Sequence, residues 1–205
     1  MFIDDEDLVK RSQQGDIEAF EQLISKYQQK VFNIAYRLIG NPHDASDLAQ
    51  EALIKVYKSI KSFRLDASFS TWVYHIVTNV CRDELRKRSR HQVSSLDEPL
   101  VSQDGEVNRE VPDYSNCPET AYEQKESGEY IQGLINSLSP EYRMVVVMRE
   151  MMGLSYEEIA QELNITLGTV KSRLNRARKY LKDKIIEDRE QRQSMGRLSV
   201  ERGKA

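Results

Sequence analysis

Apolar side chains recur along this chain at three- and four-residue spacing, and no strand pattern with hairpin signals appears. Asp16 is placed to cap a helix in which Phe20, Leu23, Ile24, Tyr27 and Val31 repeat on one side, and Gly40 ends that segment. Asn41-Pro42 then supplies a cap with proline in the first helical position. The stripe Ala45, Leu48, Ala49, Ala52, Val56 and Ile60 predicts the next helix. A loop from Ser62 to Ser70 follows, then a helix to about Arg90.

After about Val93 the apolar period disappears. Residues 93–118 hold Pro99, Pro112 and Pro118 among Ser, Asn, Asp and Gly. Such a stretch buries too little surface to offset the entropy of ordering it, so it reads as a flexible acidic linker. Helical period resumes with Ile131, Leu134, Ile135 and Leu138. Ser139-Pro140 opens a helix lined by Met144, Val145, Val147, Met148 and Met151, and Gly153 stops it. Ser155 and Glu158 are spaced as a capping box for a short helix carrying Ile159, Ala160 and Leu163. Asn164-Ile165 turns the chain, and Thr166 caps a final helix from about Leu167 to Ile185. The fold expected is all-α, with two helical domains.

Composition changes this picture only once charge is located. The 205 residues carry 30 basic and 33 acidic side chains, which alone argues against a nucleic-acid partner. Counted in blocks, residues 1–51 hold 5 basic and 10 acidic groups, 52–92 hold 9 and 3, 93–129 hold 2 and 10, and 130–205 hold 14 and 10. Two blocks are therefore basic. Blocks of one sign mark interaction surfaces. The longest aliphatic run, Met144 to Met148, is far short of the about 20 residues a membrane helix needs. The N-terminus is acidic rather than signal-like, so a cytoplasmic chain is expected. Cys81 and Cys117 are far apart, and with only His43, His75 and His91 no metal site is expected.

Two helices joined by a tight turn, the second basic, form the arrangement that enters a DNA major groove. At 100° per residue, Val170, Leu174, Ala177 and Leu181 fall within about 60° of arc. Lys171, Ser172, Asn175, Arg176 and Lys179 lie opposite, with Thr169 at the margin. Arg and Lys there suit phosphates and guanines, and Asn or Ser suit other base edges. A second stripe lies on the helix after Ser70. Thr71, His75, Thr78, Asn79, Arg82 and Arg86 fall within about 100° of arc, preceded by Arg64, Asp66 and Ser68 in the loop. Short polar groups beside Arg and aromatics suit single-stranded or unstacked bases. Phe69 and Trp72 read better as core than as stacking platforms, because large aromatics are mostly buried.

Three stretches together resemble the extracytoplasmic-function (ECF) sigma factors, bacterial RNA polymerase specificity subunits of the sigma-70 family. They are Gly40 to Tyr57 with its Asp47-Leu48-Ala49-Gln50-Glu51 core, Phe63-Arg64 with Phe69 to Asn79, and Leu154 to Arg178. The resemblance implies a sigma-two domain over residues 1–92, the linker over 93–118, and a sigma-four helix-turn-helix domain over 119–186. A mobile polar tail is expected over 187–205. It also implies docking of Asp44, Asp47, Leu48, Gln50 and Glu51 on the β′ clamp helices of core RNA polymerase, with the β flap as a further contact. The stripe from Arg64 to Arg86 would read melted minus-ten DNA, with Asn79 in base contact, and the last helix would read the minus-thirty-five duplex. An anti-sigma factor is a further implied partner. No cofactor and no catalysis are implied.

Spacing alone reads the acidic face of Asp44, Asp47 and Glu51 equally as solvated surface or as a match for a basic partner. The alternative function is a helix-turn-helix regulator that is no polymerase subunit. It requires an N-terminal sensing or phosphoacceptor domain, where this chain shows only helices and a basic stripe. A nucleic-acid enzyme would need a metal-binding carboxylate cluster in a pocket or an activated nucleophile, and neither is evident.

Overall fold

The computed structural model describes residues 4–94 and 118–202, and all regular elements there are helical. A first bundle contains α1 (Asp5–Gln13), α2 (Ile17–Ser25), α3 (Gln28–Ile39), α4 (Pro42–Ser59), a 3-10 turn (Ile60–Ser62) and α5 (Phe69–Ser94). A second contains α6 (Pro118–Asn136), α7 (Pro140–Glu150), α8 (Tyr156–Leu163) and α9 (Leu167–Arg202). The linker expected over 93–118 falls almost wholly outside the described residues, as does Cys117.

The first bundle is built on α3, α4 and α5. Val31, Ile34, Ala35 and Leu38 of α3 meet Ala45, Ala49, Ala52 and Val56 of α4 and Val73, Val77 and Cys81 of α5. The small residues on α4 allow its axis to approach closely, and truncating a large neighbour such as Leu38 to alanine costs about 2–5 kcal/mol. Gly40 ends α3 in the left-handed region at φ 86°, and Asn41 then caps α4 by accepting from the amides of His43 and Asp44 at 2.8 and 3.1 Å.

Two expectations change here. The stripe from Phe20 to Val31 is not one helix, because the chain breaks at Lys26-Tyr27. Tyr27 leaves the stripe to tie neighbours together: its hydroxyl donates to Asp5, and its ring lies edge-on to Phe69 at 5.3 Å. α1 packs on α2, with Leu8 and Val9 among its buried side chains. In the second bundle α6 begins at Pro118 rather than near Tyr130, and α9 continues to Arg202. The segment expected as a polar tail after Ile185 is thus helical as far as Arg202.

Cys81 is fully buried, and burial, with a lesser push from the charge of Glu51, drives its thiol up to about 12. Only the thiolate is nucleophilic. Cys81 should therefore resist iodoacetamide in the folded protein and react readily once guanidinium unfolds it. Peptide mass mapping checks this, and native-state labelling of Cys81 at the rate of a free thiol would contradict the packing.

Candidate functional site

The second bundle sets the start of α9 through the short helix and turn before it. Ser155 Oγ accepts from the Glu158 amide at 3.1 Å, and Glu158 accepts from the Ser155 amide at 2.7 Å, completing the capping box. Asn164 turns α8 into α9 in the left-handed region at φ 53°, a conformation asparagine tolerates. Thr166 Oγ1 then accepts from the Thr169 amide at 3.2 Å. The seam of α9 is as the sequence predicts: Val170, Leu174 and Ala177 are buried and Leu181 half-buried. Lys171, Ser172, Asn175, Arg176 and Lys179 are exposed, and Thr169 is half-buried beside them. The basic run nevertheless divides. Arg173 pairs with Glu141 at 2.6 Å and Arg178 with Glu150 at 2.7 Å, so both turn back onto α7.

The first bundle presents α5 and the loop before it. Phe63 and Phe69 are buried, and Trp72 stacks on Phe63 with centroids 4.7 Å apart. The aromatics thus form a platform inside the fold and leave Arg64, Asp66 and Ser68 exposed above it. Leu65 sits in the left-handed region at φ 62°, uncommon for a leucine, and remains exposed. A cavity of about 310 Å³ opens between this loop and the start of α1, with Asp4, Asp5 and Glu6 on one side and Ser68 and Ser70 on the other. No local pattern links the N-terminal carboxylates to this loop.

Along α5, Thr71, His75, Asn79 and Arg82 are half-buried, Thr78 is buried and Arg86 is exposed. Part of that stripe is covered by the second bundle. His75 Nδ1 lies 2.5 Å from Glu162 Oε2, and Arg82 donates to the Glu162 backbone carbonyl at 2.7 Å and also to Asn79 Oδ1. Thr78 Oγ1 faces Met152 Sδ at 3.7 Å. The hydrogen bond that His75 donates to the Glu162 carboxylate raises the pKa of His75 against the opposing effect of burial.

On α4 the acidic face is real but uneven. Asp47, Gln50 and Glu51 are exposed, whereas Asp44 is tied to Arg88 of α5 at 2.8 Å. Leu48 differs from its polar neighbours. It is 9% exposed and packs in the core with Ala45 and Ala52, because its position on the helix is on the buried side. It lies beneath the acidic face. The outward face continues instead through Ile54 and Tyr57, 53% and 54% exposed, with Tyr57 held edge-on by Phe20 at 5.0 Å. Both lie off the apolar stripe of α4, which was the available signal. No group of three metal-ligating side chains gathers among the described residues. No helix among them is long and apolar enough to cross a membrane.

Comparison with known proteins shows the family. The family model of sigma-70 region 2 matches residues 23–91, and that of sigma-70 region 4 matches residues 128–181. The ECF RNA polymerase sigma-E factor of Escherichia coli is 37% identical over 181 residues, covering 88% of this chain and 94% of that protein. The ECF RNA polymerase sigma factor SigW of Bacillus subtilis is 36% identical over 178 residues, covering 86% and 94%. The SigE factor of Mycolicibacterium smegmatis is 37% identical over 170 residues, covering 83% of this chain and 63% of its own length. Among solved structures, the sigma factor RpoE of Bartonella quintana, in complex with the anti-sigma factor NepR, aligns with TM-score 0.59 at 25% identity over 80% of this chain and 94% of that one. CnrH, in complex with the cytosolic domain of CnrY, shares the fold with TM-score 0.59 at 20% identity over 90% of this chain and 98% of that one.

Proposed function

The chain belongs to the ECF RNA polymerase sigma factors, and on that premise we propose how its surfaces divide the work of promoter recognition. The α4 face of Asp47, Gln50, Glu51, Ile54 and Tyr57 docks on the β′ clamp helices of core RNA polymerase, and the second bundle contacts the β flap. The outer face of α9 reads the minus-thirty-five duplex in the major groove. The α5 stripe, with Arg64, Asp66 and Ser68, holds the melted minus-ten strand. The cavity beside Ser68 is wide enough for one unstacked base and offers hydroxyl and carboxylate acceptors to an exocyclic amino group. The protein acts in the bacterial cytoplasm, catalyses no reaction itself, and is restrained by an anti-sigma factor.

The observation that carries this reading is the pairing of two unlike polar faces on one chain. One is a major-groove helix rich in exposed Lys and Arg. The other is a half-buried stripe of Thr, His and Asn over an aromatic platform. A regulator outside the polymerase needs the first and has no use for the second. Asn79→Ala tests the division. It should reduce permanganate reactivity of unpaired minus-ten thymines by about tenfold, as one base contact of about 1–3 kcal/mol implies, and leave binding of duplex minus-thirty-five DNA unchanged. Unchanged melting in this variant would remove Asn79 from the base-reading stripe.

A further inference from the structure

The loop 64–68 carries Arg64, Asp66 and Ser68, and its backbone does not hold itself. Leu65 stands in the left-handed region at φ 62° with its side chain 37% exposed. A leucine stays in that region only where the structure around it over-determines the backbone. With so much of Leu65 in solvent, the determinants lie at the two ends of the loop.

The entry to the loop is held by the last residue of α1. The Gln13 side-chain amide donates to the Ile60 carbonyl at 3.0 Å and to the Phe63 carbonyl at 2.8 Å. The Phe63 amide also donates to the Ile60 carbonyl at 3.1 Å, so Gln13 fixes both ends of the 3-10 turn that delivers the chain to Arg64. The exit is held from the first residue of the same helix. Asp5 accepts from the Tyr27 hydroxyl and pairs with Lys26 at 2.9 Å, and the Tyr27 ring meets Phe69, where α5 begins, edge-on at 5.3 Å. Asp5 and Gln13 are about 12 Å apart along the axis, at about 1.5 Å per residue. Between them the buried Val9 lines the cavity beside Ser68. α1 is thus a brace that spans the loop from entry to exit.

We infer that Gln13 is a positioning residue for minus-ten recognition: by clamping the two carbonyls before the loop it fixes where Arg64, Asp66 and Ser68 stand, and so sets which base the loop accepts. This rests on the reading of the loop as part of the minus-ten reader. Gln13 is half-buried, and its two N–H donors are committed to backbone, so neither is left for a base. Its effect on DNA is exerted through the loop. Base discrimination needs donors and acceptors held to within about 0.5 Å, and a loop released at its entry loses that precision.

The test uses holoenzyme assembled from purified core RNA polymerase and each full-length variant. It transcribes a promoter library randomised over the minus-ten and minus-thirty-five elements, and the transcripts are sequenced. Gln13→Met keeps the length and bulk of the side chain and removes both donors. It should flatten base preference at one or two minus-ten positions by about three- to tenfold, with minus-thirty-five preference and affinity for core polymerase unchanged. Gln13→Lys, whose ammonium can donate to both carbonyls, should restore most of that preference. Unchanged minus-ten preference in Gln13→Met overturns the proposal. So does a fall in transcription spread evenly over all sequences, which a merely structural residue would give, or a lost preference that Gln13→Lys leaves lost. Asp66→Ala, at an exposed loop position, separates the two possible failures. A minus-ten preference altered by Asp66→Ala but not by Gln13→Met removes only the role of Gln13, whereas a preference unchanged in both removes the loop from the minus-ten reader.

Discussion

Ile54→Asp will lower affinity for core RNA polymerase by about thirtyfold or more while leaving the fold intact. Ile54 is 53% exposed on the outward face of α4, one turn beyond Gln50 and Glu51. Truncated apolar anchors at the centre of an interface cost about 2 kcal/mol or more, and each 1.4 kcal/mol is a factor of ten. Aspartate adds a desolvation penalty where isoleucine had gained from burial. Substitutions at exposed positions usually change stability by less than about 0.5 kcal/mol, so the thermal midpoint should barely move. Fluorescence titration against purified core enzyme separates the two effects. Wild-type affinity in Ile54→Asp would shift the docking surface off this face, and a collapsed melting transition would show that Ile54 is structural after all.

Arg176→Ala will weaken binding to a duplex minus-thirty-five element by about 1–3 kcal/mol and relax preference at one base position. Arg176 is exposed on α9 opposite the buried seam of Val170, Leu174 and Ala177. Its neighbours Arg173 and Arg178 make the contrast informative, because their guanidiniums are paired with Glu141 and Glu150 on α7. Arg173→Ala should therefore act mainly on the packing of α9 against α7 and leave base preference unaltered. Lys179→Ala, if it meets phosphate, should weaken binding evenly across sequences and reduce the salt slope by about 1. Binding measured at several salt concentrations on a set of single-base variants of the duplex distinguishes these patterns. Equal losses for Arg176→Ala on every sequence would reassign it from base to backbone.

The helix-turn-helix was legible because its information is local. A capping box, a turn at Asn164 and a narrow apolar seam are each written in a few adjacent residues, and all three are present. The break between α2 and α3 was not legible, since Tyr27 fits the helical period and only its ties to Asp5 and Phe69 take it out of the stripe. The burial of Leu48 was legible, because it falls in the apolar stripe of α4 with Ala45, Ala49 and Ala52. Ile54 and Tyr57 were readable as apolar residues off the α4 stripe. The contact of Glu162 with His75 and Arg82 joins residues more than eighty positions apart across the linker, and no local pattern announces it.

The charge pattern takes on a sharper meaning in the folded chain. The basic block of residues 52–92 divides between the polar stripe of α5 and internal pairs such as Arg88 with Asp44. The basic run on α9 likewise divides between exposed side chains and ties to α7. Surface charge available to DNA is therefore smaller than the block counts suggest, which fits a protein that needs polymerase to hold its two readers on one promoter.

The most direct measurement is run-off transcription with purified core RNA polymerase on a library of bacterial promoter fragments, with and without this protein. The expected result is a set of transcripts that appear only when it is added, are lost with Ile54→Asp, and start downstream of a shared pair of elements. Core polymerase that gains no new transcript, and fails to co-elute with the protein, would contradict the proposal that this chain directs promoter-specific initiation.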